Sequence, residues 1–132
     1  AISSAGDVFV WGYGKFGALG LGEQSTEICK SPVMLTEFEN FKRETKSIVE
    51  DTRIKEISCG DYHSCAVTIQ GMVYSWGYAS HGRLGLGKHP NAHGMMKSPI
   101  SICQFVDRPH PIISCIEVTK VSCGSEPCPY NT

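Results

Sequence analysis

The sequence predicts an all-β chain built from repeated four-stranded units, the blades of a β-propeller. Three observations carry this. Gly6 to Gly22, GDVFVWGYGKFGALGLG, returns about 65 residues later as Gly71 to Gly87, GMVYSWGYASHGRLGLG. One period holds four short runs of β-type residues. Glycine-rich turns separate those runs, and a stack of twisted four-stranded sheets needs that pattern.

The first copy starts with Val8 to Trp11, a run of Val, Phe, Val and Trp that suits a pleated, half-buried surface. Gly12, Gly14, Gly17, Gly20 and Gly22 follow closely, as turns or close backbone approaches require. Gly12 to Gly17 also fits G-x-G-x-x-G. A dinucleotide site would need a helix next, offering its N-terminal amides to pyrophosphate. Two more glycines stand where that helix should run, and Ala79 replaces Gly14 in the second copy, so the loop reads as a structural turn. Glu23 to Lys30 reads as a polar loop, and Ser31 to Leu35 as a strand entered through Pro32. The segment from Glu37 to Arg53 mixes both charge signs and reads as a solvated connection.

Ile54 to Gly60 alternates apolar and polar residues, so it reads as a strand. Cys65 to Ile69 is the next, Gln70-Gly71 a turn, and Met72 to Trp76 a third. Ser98 to Ile102 is the fourth, again entered through a proline. Gln104 to Glu117 contains Pro109 and Pro111 and is not helical throughout. Val118 to Gly124 matches Ile54 to Gly60 and starts a further unit. Ser125 to Tyr130, with Pro127 at the register of His63, then breaks the pattern. The expected organisation is a partial repeat over 1–53 with a charged loop at 37–53, a complete repeat over 54–117, and the start of another over 118–132.

Together these residues resemble the RCC1 (regulator of chromosome condensation) repeat. The motifs are Gly71-Met72-Val73-Tyr74-Ser75-Trp76-Gly77, then Gly82-Arg83-Leu84-Gly85-Leu86-Gly87, Ser98-Pro99, and Ile54 to Ala66. The resemblance implies about two blades of a seven-bladed ring, an incomplete propeller. Closure of a ring needs at least four blades, so we expect a fragment of a longer protein, or blades supplied from elsewhere. The shared positions Gly6, Trp11, Gly12, Gly17, Gly20, Gly22, Gly60, Gly71, Trp76, Gly77, Gly82, Gly85 and Gly87 are read as scaffold.

Members of the family act as protein-interaction platforms, and the founding member is a nucleotide exchange factor for a small GTPase that also binds nucleosomes. The resemblance therefore implies a non-catalytic interaction module. Its alternatives are a guanine-nucleotide exchange factor for a Ran-like GTPase, which needs no cofactor, or a chromatin-binding propeller. A formal charge of −1 lacks the basic footprint expected for nucleic acid. The positions that drift between copies are where partner choice would sit: Lys15 and Phe16 against Ser80 and His81, with Arg83 beside them. The loop carrying Asp61, Tyr62 and His63 adds a tyrosine beside an acid, suited to protein contact. Photoreceptor members of the family carry tryptophan in the comparable loop, and its absence here disfavours light sensing by that route.

Other chemistry is weakly signalled. Cys59, His63 and Cys65 form C-x3-H-x-C, but zinc wants four ligands at firm spacing, and these positions belong to the repeat pattern. His89 and His93 lie in a loop broken by Pro90 and Gly94. Asp61, His63 and Ser64 are close in sequence, which does not assemble a triad. We therefore expect no metal, cofactor or catalytic residue. Seven cysteines without a basic, apolar leader read as reduced thiols of an intracellular protein, cytoplasmic or nuclear. No apolar run approaches the ~20 residues that span a bilayer.

Overall fold

The computed structural model describes residues 1–24, 27–36, 53–86, 94–102 and 120–124. Gly87, His89, His93, His110, Cys103, Cys115, Cys128 and Pro127 lie outside them, as do nearly all of the charged segment after Glu37 and all of Gln104 to Glu117. The architecture is all-β, with six strands and no α-helix among the described residues. Strands β1 (Phe9–Tyr13) and β2 (Ile28–Met34) form an antiparallel pair. Strands β3 (Ile54–Cys59), β4 (His63–Thr68), β5 (Val73–Tyr78) and β6 (Met95–Ser101) form a four-stranded antiparallel sheet in sequential order.

β1 and β2 occupy the repeat positions of β5 and β6, and both pairs carry the same irregularity. Between the pairs Val10↔Val33 and Gly12↔Cys29, one residue of β1 faces Lys30, Ser31 and Pro32 of β2. Between Ser75↔Ile100 and Gly77↔Met96, one residue of β5 faces Lys97, Ser98 and Pro99 of β6. The prolines thus sit inside bulges on edge strands, where a missing N–H costs no ladder bond. This corrects the expectation that Ser31 and Ser98 begin their strands. Pairing resumes before each bulge, drawing Ile28 to Lys30 and Met95 to Lys97 into strand where a polar loop is expected for the former. Lys120 to Gly124 follows β3 through Cys123, whose N–H donates to Ser58 Oγ at 2.8 Å, but carries no strand assignment of its own.

The two sheets share one core. Val8 and Leu35 from the first pack with Ile54, Ala66, Tyr74 and Trp76 of the second. The Leu35 N–H donates to Val8 O at 2.8 Å, and the Ile54 N–H to Gly6 O at 3.2 Å. A second cluster, Ala79, Leu84 and Leu86, closes the glycine loop of the second repeat onto Met96 and Ile100. Ser75 Oγ donates to Leu84 O at 2.8 Å, tying that loop to β5.

Trp76 joins the sheets. Its indole N–H donates to Ala18 O at 3.0 Å, in the glycine loop of the preceding repeat, and Ser64 Oγ donates to the same carbonyl at 3.0 Å. Gly20 makes the approach available: a Cβ there would meet Trp76 Nε1 at 2.8 Å, and its φ of 73° is costly for any other residue. Trp11 stands at the same repeat position and behaves differently. It is 49% exposed where Trp76 is 2% exposed. Equivalent tryptophans therefore share a scaffold role only where a neighbouring loop covers them.

Candidate protein-interaction surface

Three loops meet at one end of the sheets. The first follows β1 and carries Lys15 and Phe16. The second joins β3 to β4 and carries Asp61 and Tyr62. The third follows β5 and carries Ser80, His81 and Arg83. The second loop is held down on β5, with the Tyr78 N–H donating to Tyr62 O at 2.9 Å. Gly77 permits this, since a Cβ there would stand 2.5 Å from Tyr62 O and 2.7 Å from His63 Cα. The Gly60 N–H closes the turn by donating to His63 O at 2.8 Å.

Phe16 is the centre of the meeting. Its ring stands edge-on to Tyr62, with centroids 5.3 Å apart and planes at 88°. It lies tilted against Tyr78 at 4.9 Å. Such geometries match the positive edge of one ring to the negative face of another. Two cations rim the cluster: Lys15 Nζ lies 5.2 Å above the Phe16 ring, and the Arg83 guanidinium 5.2 Å above Tyr78. Arg83 is fixed by its Nε–H donating to Ser80 O at 2.8 Å, and its Nη2 lies 3.5 Å from His81 Nδ1.

The backbone at the centre is strained. Phe16 has φ 60° and His81 φ 62°, the two non-glycine residues with positive φ among those described, and they occupy equivalent positions of the two repeats. A left-handed conformation costs a non-glycine residue about 1–2 kcal/mol. Strain of this kind concentrates where a side chain must be aimed. Here it aims Phe16 from the β1–β2 pair onto Tyr62 and Tyr78 of the four-stranded sheet.

The structure thus gathers Lys15, Phe16, Asp61, Tyr62, Ser80, His81 and Arg83 at one end of the molecule. His63, read from the sequence as a partner contact, is placed inside the loop instead of on this surface. His63 is 9% exposed, begins β4 and packs its ring beneath Gly60, so it supports the loop from inside. Tyr78 is an addition. It matches Tyr13 in the first repeat, and only the fold shows its ring in contact with Phe16. Behind Phe16 a depression of about 250 Å³ is lined by Lys15, Glu23, Glu27, Met95 and Lys97. Lys97 and Glu23 span it with an exposed ion pair at 3.0 Å, of a kind that contributes only ~0–1 kcal/mol. Cys59, His63 and Cys65 do not converge, and among the described residues no group of three His, Cys, Asp or Glu side chains could hold a metal.

Comparison with known proteins decides the family. The profile of the regulator of chromosome condensation (RCC1) repeat matches residues 5–67 and 70–128, and a second RCC1 repeat profile matches 54–83. The chain belongs to the RCC1 repeat family. RCC1-repeat relatives include the human probable E3 ubiquitin-protein ligase HERC6, 41% identical over 67% of this chain and 7% of that protein. The ultraviolet-B receptor UVR8 of Arabidopsis thaliana is 40% identical over 66% of this chain and 17% of its own length. The mitochondrial RCC1 domain-containing protein RUG3 of the same plant is 33% identical over 94% of this chain and 24% of its own. Among solved structures, Prp20p of Saccharomyces cerevisiae superposes with a TM-score of 0.65 at 22% identity, covering 93% of this chain and 26% of that one. Human WBSCR16 superposes with a TM-score of 0.63 at 29% identity, covering 94% and 26%. The chain therefore has the fold of part of an RCC1 β-propeller and spans about a quarter or less of these proteins. No helix among the described residues is long and apolar enough to cross a membrane.

Proposed function

We propose that this chain is a non-catalytic protein-interaction module of an RCC1 propeller, and that its partner docks on the end formed by Phe16, Tyr62 and Tyr78 between Lys15 and Arg83. The observation that carries this reading is the strained Phe16 backbone, which holds an aromatic cluster at the surface with cations at its rim. Aromatic and arginine side chains dominate the energetics of protein interfaces. Tyr62 remains 43% exposed despite its contact with Phe16, so it can serve both the cluster and a partner.

The same reading assigns further blades as partners of the scaffold. Among the described residues no loop covers Trp11 as the loop of Ala18 covers Trp76, and a blade placed before β1 would supply one. The repeat boundaries near residues 53 and 117 are the seams between blades. Capture of proteins by the immobilised chain tests the module: an interacting protein is retained by the native chain and lost with Tyr62→Ala. Retention unchanged by that substitution overturns the assignment of this surface.

A second reading is guanine-nucleotide exchange on a small GTPase, supported by the structural likeness to Prp20p, a protein described for its binding to Gsp1p and histones. Release of labelled GDP from a Ran-like GTPase tests it. Salt-dependent nucleosome binding tests the chromatin alternative, which the net charge of −1 disfavours.

A further inference from the structure

A pair of thiols lies beside the start of the β3–β4 loop, between β4 and the segment 120–124. Cys65, in the middle of β4, pairs across the ladder with Ser58 of β3, so their side chains share one face. Cys123 is held over that face at two points. Its backbone N–H donates to Ser58 Oγ at 2.8 Å, and its sulfur lies 3.2 Å from Ser58 O. The result is a Cys65 Sγ to Cys123 Sγ separation of 2.9 Å. Both thiols are free and only partly buried, so a small reagent can reach them. Cys123 occupies the repeat position of Cys59, which is exposed and lies one residue beyond Ser58.

We propose that Cys65 and Cys123 form a thiol–disulfide modification site, whose reaction with an oxidised low-molecular-weight disulfide such as glutathione disulfide joins one blade covalently to the next. The chemistry is divided between the two sulfurs. The hydrogen bond from Cys65, against the opposing effect of burial, draws the Cys123 thiol down to about 7, while the same contact followed by burial pushes Cys65 up. Cys123 is therefore the attacking thiolate and Cys65 the resolving thiol. Cys123 attacks one sulfur of glutathione disulfide; its S–S bond breaks and one glutathione thiolate leaves and takes up a proton. Cys65 then loses its proton to solvent and attacks the Cys123 sulfur of the mixed disulfide. The second glutathione is expelled as a thiolate and protonated. Two protein thiols are oxidised and one glutathione disulfide is reduced to two thiols.

The site spans the boundary between the unit that holds β3 to β6 and the segment that starts the next, so closing it staples consecutive blades. The test is exposure of the full chain to glutathione disulfide, alkylation of the remaining thiols, and fragment mapping by mass spectrometry. The expected product is a Cys65–Cys123 link, formed at least ~10-fold faster in the native chain than in urea because folding holds the sulfurs in contact. It persists in Cys59→Ser and Cys128→Ser. In Cys65→Ser it is replaced by a glutathione adduct on Cys123. A link through Cys59, equal rates in native and unfolded chains, or a mixed disulfide on Cys123 with Cys65 still alkylatable in the native wild-type chain overturns the proposal.

Discussion

Phe16 stands edge-on to Tyr62, with ring centroids 5.3 Å apart, although their loops leave different sheets. The contact exists because the loop after β1 enters the left-handed region at Phe16 and points the ring onto the loop between β3 and β4. An edge-to-face pair adds about 0.5–1.5 kcal/mol beyond burial. Tyr62→Ala should therefore lower folding stability by about 1 kcal/mol. That loss is too small to unfold the chain, and urea denaturation measures it.

His81 repeats the Phe16 backbone at φ 62°, but its side chain is exposed. His81→Gly should release the left-handed strain and raise stability by about 1 kcal/mol. The same substitution should weaken partner binding, because Arg83 loses its neighbour at 3.5 Å. A stabilised chain that binds less well is the signature of a residue kept for contact rather than folding.

Gly20 and Gly82 separate strain from collision. Their φ values are 73° and 72°, so alanine is equally strained at either. At Gly82 a Cβ meets nothing within 4 Å, whereas at Gly20 it meets Trp76 Nε1 at 2.8 Å. Gly82→Ala should cost about 1–2 kcal/mol. Gly20→Ala should cost at least ~2 kcal/mol more, since it also displaces a buried indole from its hydrogen bond. Equal midpoints in thermal denaturation would contradict the packing described between the sheets.

Cys123 should alkylate with an inflection near pH 7, set first by its hydrogen bond with Cys65. An ordinary cysteine titrates near ~8.5. The thiolate is the reactive form, so the rate rises with pH through the inflection. Cys65→Ala removes that donor and should shift the inflection upward. Iodoacetamide labelling followed by peptide mapping reads both.

The fold was legible because glycine, tryptophan and leucine recur at fixed offsets, and those residues mark the turns and packing a blade requires. Strand edges were less legible. Ser31-Pro32 and Ser98-Pro99 look like strand starts, because a proline removes a donor, yet a bulge accommodates them and pairing resumes on the other side. The loops that meet at the proposed surface were marked in the sequence by the drift between copies at Lys15, Phe16, Ser80 and His81. His63 could not be placed, because its burial depends on the close approach of Gly60 and Gly77 from different strands. Tyr78 was hidden by its match to Tyr13, since identical sequence positions acquire different surroundings when a neighbouring repeat covers only one. The Cys65–Cys123 contact, 2.9 Å between residues 58 positions apart, has no local signal in the chain.

The most direct measurement is the affinity of a captured protein partner for the native chain, for Tyr62→Ala, and for Ile69→Ala as a control. Ile69 is also exposed, but it lies at the opposite end of β4. Loss of an aromatic contact at the centre of an interface costs ~2 kcal/mol, about 30-fold in Kd. The account predicts that loss for Tyr62→Ala and an unchanged Kd for Ile69→Ala. An unchanged Kd for Tyr62→Ala, with the variant folded, would contradict it.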